Sequence, residues 1–261
     1  SNFSKELSLD IYKSDVQHLM STRYRNTPLT DAYVETEMMG AKLKNQFDIS
    51  NQKLTLGLDA SDRNWNGNKS GASIDRYFIP DVDTKNRAVF LEDEFKISNA
   101  NIKIGARYDD TNVKANKIAK SMTTTDSWVT TTADRDKDYS AFSANILATI
   151  KANDNLEFIA GIGKSSRVPD AKELYMSGGN RVATGDLDQT TNTEIDLGFD
   201  YKNGNFGLKT KVFYSDLKDY IYYHYINDPD ASKNTSSKYV NIDAHIYGVE
   251  ANSFVYFTDE L

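Results

Sequence analysis

The chain has 261 residues, no cysteine and a formal net charge of −7. The missing Cys excludes disulfides, thiolate metal ligands and a Cys nucleophile within this sequence, and the acidic balance, with no basic face, argues against nucleic acid as a partner. No run approaches the ~18 apolar residues of a membrane-spanning helix. Barrel strands alternate and so dilute their hydropathy, which keeps a transmembrane β-barrel open at a mean hydropathy of −0.61.

The first stretch, 3–20, reads as a strand with Leu7, Leu9 and Ile11 on one face and Ser8, Asp10 and Ser14 on the other. Residues 21–31 are polar and read as a loop. Residues 32–48 read as a long strand in which the apolar parity changes, from Val34, Thr36 and Met38 to Ala41, Leu43 and Phe47. A switch around Gly40 predicts a bulge. After a short turn at 49–52, Leu54, Leu56 and Leu58 alternate, and an Asn-, Asp- and Gly-rich stretch at 64–86 reads as a long loop. A strand over 88–97 leads through a turn at 98–101 to Ile102, Ile104, Ala106 and Tyr108. Residues 113–137 read as a second long loop. Phe142, Ala144, Ile146, Ala148 and Ile150 form the next alternating run, followed by a turn at 151–155.

Residues 156–201 carry the most information. Leu156, Phe158, Ala160 and Ile162 alternate, as do Ile195, Leu197, Phe199 and Tyr201, and a long segment at 167–190 separates the two runs. Asn203-Gly204 marks a tight hairpin. Phe206, Leu208, Val212 and Tyr214 follow, then a polar loop at 222–238 and a last strand from Tyr239. About ten strands result, and short turns alternate strictly with long loops. An outer-membrane barrel requires that sorting, since its periplasmic turns are short and its extracellular loops long. The expected fold is therefore all-β, an antiparallel up-and-down segment of a transmembrane barrel. Leu54, Leu56, Leu58, Ile102, Ile104, Ile195, Leu197 and Phe199 should share its lipid-facing side. A soluble adhesin or carbohydrate-binding β domain is the alternative.

Arg167-Val168-Pro169-Asp170-Ala171-Lys172-Glu173-Leu174-Tyr175 resembles the R-x-P-x-x-x-E-L-Y element of TonB-dependent outer-membrane receptors. Gly185-Asp186-Leu187 with Thr193-Glu194-Ile195-Asp196-Leu197-Gly198 resembles the element that follows it in that family, although the usual Asn-Pro is replaced at 184–186. Ala244 to Glu250 resembles a third family strand. The resemblance implies that residues 1–261 are an interior part of a barrel of about 22 strands, with the plug and the final strands lying elsewhere. It implies an active-transport receptor of the bacterial outer membrane, driven by TonB through the plug, with outer-membrane lipid and a metal or metal chelate as further partners. Arg167 and Glu173 should form a charge pair that fixes their loop.

His18 and Met20 are two apart and face the lumen together if no bulge intervenes. Imidazole plus thioether is a soft pair that suits copper. His18-Leu19-Met20 resembles the H-x-M element of the copper receptors of the family, which implies a copper ion as transported substrate and no organic cofactor. Siderophores, other metal chelates and cobalamin are the alternatives. Asp134, Asp136 and Asp138 have the spacing of a calcium loop, but Tyr139 and Asn145 stand where Gly and Glu are needed. Met38-Met39 reads as packing and His245 as a wall residue. No nucleophile with a matching base stands out, so the sequence argues against an enzyme.

Overall fold

The computed structural model describes residues 4–21, 31–69, 77–117, 135–176, 181, 183–226 and 236–257. Among the described residues, ten strands in sequence order make one antiparallel sheet. They are β1 (Ser4–Ser21), β2 (Asp31–Ile49), β3 (Gln52–Lys69), β4 (Tyr77–Ile97), β5 (Ala100–Ala115), β6 (Asp136–Lys151), β7 (Leu156–Arg167), β8 (Thr190–Asn203), β9 (Phe206–Ile226) and β10 (Ser236–Val255). A five-residue helix, α1 (Ala171–Tyr175), lies between β7 and β8.

Opposed residues of an antiparallel pair point to the same face, so register alone assigns the two walls. Leu54 opposes Asp93, Asp93 opposes Ile104, and the row continues through Ile146, Ile162, Ile195, Tyr214 and Tyr247. Neighbouring rows hold Leu56 with Leu91, Leu58 with Val89 and Tyr108, and Leu197 with Val212. All eight residues expected on one face therefore share it. Their exposure, 55% at Leu58 and 54% at Leu197, fits a wall whose solvent is lipid. Tyr108, Phe142, Tyr214 and Tyr247 close the outer edge of this apolar band. One row further out the chain turns polar, with Arg87, Asp110, Ser140, Asp216 and His245.

The short connections are tight. Ile49 pairs with Gln52, Ile97 with Ala100 and Asn203 with Phe206. Ser50, Ser98 and Gly204, the first residue of each turn, have φ of 58°, 54° and 54°. Asparagines stitch the turns into a rim. Asn51 donates to the Lys96 carbonyl at 2.9 Å, Asn99 to that of Lys151 at 2.7 Å and Asn155 to that of Lys202 at 2.6 Å.

The structure corrects two expectations. β2 has no bulge at Gly40, because its register with β3 is unbroken and its register with β1 shifts only at Ser4/Glu6. The parity switch has a different cause. Ala41, Leu43 and Phe47 face lipid in the inner half of the strand, whereas Ala32 and Val34 face the lumen in the outer half and pack on a buried core there. Gly40 itself lies under the Tyr12 ring, where a side chain would collide. The second correction concerns the long loops. β3 runs to Lys69, β4 starts at Tyr77, β9 runs to Ile226 and β10 starts at Ser236, so much of 64–86 and 222–238 is strand. Beyond the lipid band the outward face turns polar while the inward face packs on the buried core, so the apolar-outward period that marks the strands lower down is lost. The remaining 70–76, 118–134 and 227–235 lie outside the described residues, as does Asp134.

Polar ladders join these outer strands on their outward face. Asn64 donates through Nδ2 to Asp81 at 2.9 Å and to Asp83 at 2.8 Å, and Asn112 does the same to Asp136 and Asp138, each at 2.8 Å. The Asp136–Asp138 spacing thus serves strand pairing. Asp81, at φ 54°, follows the buried Pro80 in a bulge between Ile79 and Val82. Proline is tolerated in a strand at such a break in the ladder.

Candidate functional site

The outer mouth of the inner wall is built by the segment between β7 and β8. Asp170 caps α1, with its carboxylate accepting from the Lys172 amide at 3.1 Å while Glu173 Oε2 accepts from the Asp170 amide at 2.7 Å. This reciprocal box fixes a helix too short to persist alone. Arg167 grips the same Glu173 with both ends of its fork, Nη1 to Oε2 at 2.8 Å and Nη2 to Oε1 at 3.1 Å, as the sequence led us to expect. Arg63 of β3 donates to Asp170 Oδ2 at 2.8 Å.

These polar contacts seat an apolar face. Ala171, Leu174 and Tyr175 are fully buried and share a core with Ala32, Ile79, Val82, Val113 and Ala115. The Tyr175 hydroxyl donates to the Val113 carbonyl at 3.2 Å. Further along, Leu187 and Ala183 join the core, the Tyr139 hydroxyl donates to the Leu187 carbonyl at 2.9 Å, and Asn241 exchanges two bonds with the Asp188 backbone. Burial, with Asp188 and Asp186 close by, pushes the Tyr139 hydroxyl up to about 12. The motif segment therefore folds inward and lines the wall from β3 to β10.

At its far end Arg181 lies over the Tyr223 ring at 5.2 Å and donates from Nη1 to Met176 Sδ at 2.7 Å. Tyr225 and Tyr239 pack against Tyr223 at 5.2 and 5.0 Å. Desolvation raises the pKa of Tyr223, but hydrogen bonds to Ser237 and Arg181 outweigh it, so the hydroxyl sits below its ordinary value. Sequence reading missed Arg63, Tyr139 and Arg181. Arg63 stood between the alternating leucines of 54–58 and the stretch read as loop from 64, and the other two carry no local spacing that marks them.

His18 and Met20 lie on β1, opposite Val34 and Ala32. Register puts both on the inner face, the one that carries Tyr12 and Gly40, near the outer end of the strand. His18 is exposed and Met20 is 42% exposed. On the opposite face, carboxylate oxygens of Asp15, Glu35 and Glu37 lie within 4.8 Å of one another. Met38 opposes Ser14 and Arg63 on the inner face, whereas Met39 points outward and is 59% exposed. His245 is a wall residue, with Nδ1 3.0 Å from Asp216 Oδ1 and 3.1 Å from the Tyr214 hydroxyl.

No curated protein matches in sequence. Solved structures do match in fold. The copper transporter OprC superposes with a TM-score of 0.86 at 18% identity, over 99% of this chain and 42% of its own. The FrpB iron transporter of Neisseria meningitidis gives 0.67 at 12% identity, over 97% of this chain and 38% of its own. The Serratia marcescens receptor HasR, solved with its hemophore HasA and heme, gives 0.71 at 14% identity, over 95% and 43%. The chain thus spans less than half the length of these proteins, which are transporters and receptors rather than enzymes. The family described as TonB dependent receptor-like, beta-barrel matches residues 2–259, almost the whole sequence, and the chain belongs to that family of bacterial outer-membrane barrels.

Proposed function

We propose that this chain is the wall of an outer-membrane receptor that imports copper ion, with transport driven by TonB through a plug segment of the full protein. The observation that carries the reading is the placement of His18 and Met20 on one inward face at the outer end of β1. An imidazole nitrogen and a thioether sulfur, both open to the lumen, favour a soft ion over an oxygen-seeking one. The likeness to the copper transporter, which extends over 99% of this chain, agrees with that chemistry. The iron transporter and hemophore receptor among the similar folds make a ferric or heme chelate the second reading.

Uptake separates the two. Cells carrying the full-length receptor should accumulate copper from a limiting medium, and dissipating the proton-motive force should abolish this. Accumulation of iron chelate with copper unchanged would replace the copper reading by the second.

A further inference from the structure

We propose that the lipid-facing wall over β2–β4 is a self-association surface, on which Asn45 of each copy hydrogen-bonds to Asp93 of a second copy. Between the inner turns and the polar outer row, the lipid-facing positions described on β2 to β5 are apolar at every place but these two. β4 crosses the apolar band over residues 89–97, about the length that a spanning strand needs, and Asp93 is at the middle. Leu54 and Ile104 oppose it, and Leu91 and Phe95 flank it on the same face. Its Oδ1 has no hydrogen-bond partner among the described residues. Hydrocarbon offers no donor, so a carboxyl held there is a cost unless a protein surface supplies one.

The matching donor is two strands away. Asn45 faces lipid in the middle of the band on β2 and opposes Leu56, which opposes Leu91. Its Oδ1 accepts from Ser4 Oγ at 2.6 Å, and no described residue accepts from its Nδ2. Asn45 and Asp93 do not meet within one copy, because two strand spacings, about 10 Å, separate them, with Leu54 and Leu56 between. They do lie at one depth. Each is four residues from the inner end of a strand that runs towards a short turn, at Ile49 and Ile97. A two-fold axis along the membrane normal keeps every residue at its depth and sets the left of one patch against the right of the other. With that axis over β3, both Asn45–Asp93 bonds close at once, and the leucines between them pack together. Further outward, the opposed Ala41 and Ala60 leave a hollow of about 510 Å³ walled by Leu43, Leu58 and Val89. Small residues of this kind let two membrane-embedded walls approach closely. A donor and an acceptor at equal depth on either side of one strand make the patch complementary to itself, so the partner that fits it is a second copy.

The test uses the full-length receptor in dioleoyl phosphatidylcholine vesicles, with donor- and acceptor-labelled copies mixed and association read by energy transfer against receptor density. The wild type should associate with the density dependence of a dimer. Asn45→Leu and Asp93→Leu each remove both intermolecular bonds and should weaken association about tenfold, the scale of two hydrogen bonds in a membrane. Neither endangers the fold, since each takes a polar group off the lipid face. Asn45→Asp combined with Asp93→Asn exchanges donor and acceptor and should restore association. Thr210→Val, which removes a lipid-facing hydroxyl on β9, should leave association unchanged. A wild type that stays monomeric at every density, association unchanged in either leucine variant, no recovery in the exchanged variant, or an equal loss in Thr210→Val overturns the proposal.

Discussion

Arg63 and Asp170 are 107 residues apart in sequence, and their side chains meet at 2.8 Å on the inner wall. Arg63 belongs to β3, and Asp170 is the cap of α1, carried in from the β7–β8 connection. The pair ties the motif segment to a distant strand, and the apolar face of α1 is thereby held on β4 and β5. The two side chains are 27% and 34% exposed, so solvent screens them in part.

A double-mutant cycle on this pair isolates its coupling. Asp170→Asn keeps an oxygen for the helix cap and removes the charge, and Arg63→Gln removes the other. We expect a coupling of about 1 kcal/mol, between the range of exposed pairs and that of sheltered charge-assisted bonds. Urea unfolding of the full-length receptor in detergent measures it. Strict additivity of the two variants would show that the pair does not act as a latch.

Gly57 and Phe90 predict a steric coupling. They oppose each other on the inner wall, and a Cβ on Gly57 would fall within the Phe90 ring. Tyr12 lies over Gly40, Phe213 over Gly248 and Phe254 over Gly207 in the same way. Lys42 and Arg107 lie over the Phe90 ring, 4.9 and 5.9 Å from its centroid. Gly57→Ala should destabilise the barrel by about 1–3 kcal/mol, the usual cost of overpacking. Phe90→Ala, added to it, should recover part of that loss, as read by the temperature at which the barrel unfolds in detergent. Equal stability of Gly57→Ala and wild type would mean that Phe90 has another rotamer of similar energy.

Tyr139 makes the outer wall sensitive to alkali. Its hydroxyl is held protonated up to about 12, above the ordinary 10.0, mainly by burial. A raised pKa means that the folded state holds the proton more tightly than the unfolded one. The contribution is whole below the unfolded value and is lost as pH rises from about 10 towards 12. The packing around Leu187 should therefore loosen in that window, and Tyr139→Phe should flatten the dependence. Tyrosinate absorbance and proteolysis of the 183–189 segment report it, and a profile identical in the phenylalanine variant would assign the alkaline loss to other groups.

The lipid-facing half of the fold was legible because its chemistry is periodic. Leu54, Leu56 and Leu58 meet lipid while Thr55 and Gly57 meet the lumen, and that contrast is written every second residue. The contrast fades where strands leave the bilayer. Asn64, Asp81, Asp83 and Asn116 bond one another across β3, β4 and the end of β5, but in sequence they look like a polar loop. The charge pair of Arg167 and Glu173 could be read because both partners lie in one motif. The Arg63–Asp170 and Tyr139–Leu187 contacts could not, since they depend on how far the segment leans across the wall. His18 and Met20 were legible as a pair because β1 is regular there, and a bulge between them would have turned them to opposite faces.

That pair carries the last prediction. On the copper reading proposed above, His18 and Met20 are two of the ligands and do not complete the shell, so the measurement belongs on the full-length receptor. We expect copper to bind with one ion per receptor in an isothermal titration under reducing conditions. His18→Ala and Met20→Ala should each weaken it, and together they should do so by more than about a hundredfold, since even groups outside the ligand shell are worth about 10–100-fold. Met20→Cys should retain binding, because the sulfur is kept on the same face, whereas Met20→Leu should not, though it keeps the volume. Leu19→Ala, which faces the lipid side between them, is the control and should bind as the wild type does. Unchanged affinity and stoichiometry in the double variant would detach copper from His18 and Met20, and the substrate would then be sought among the metal chelates.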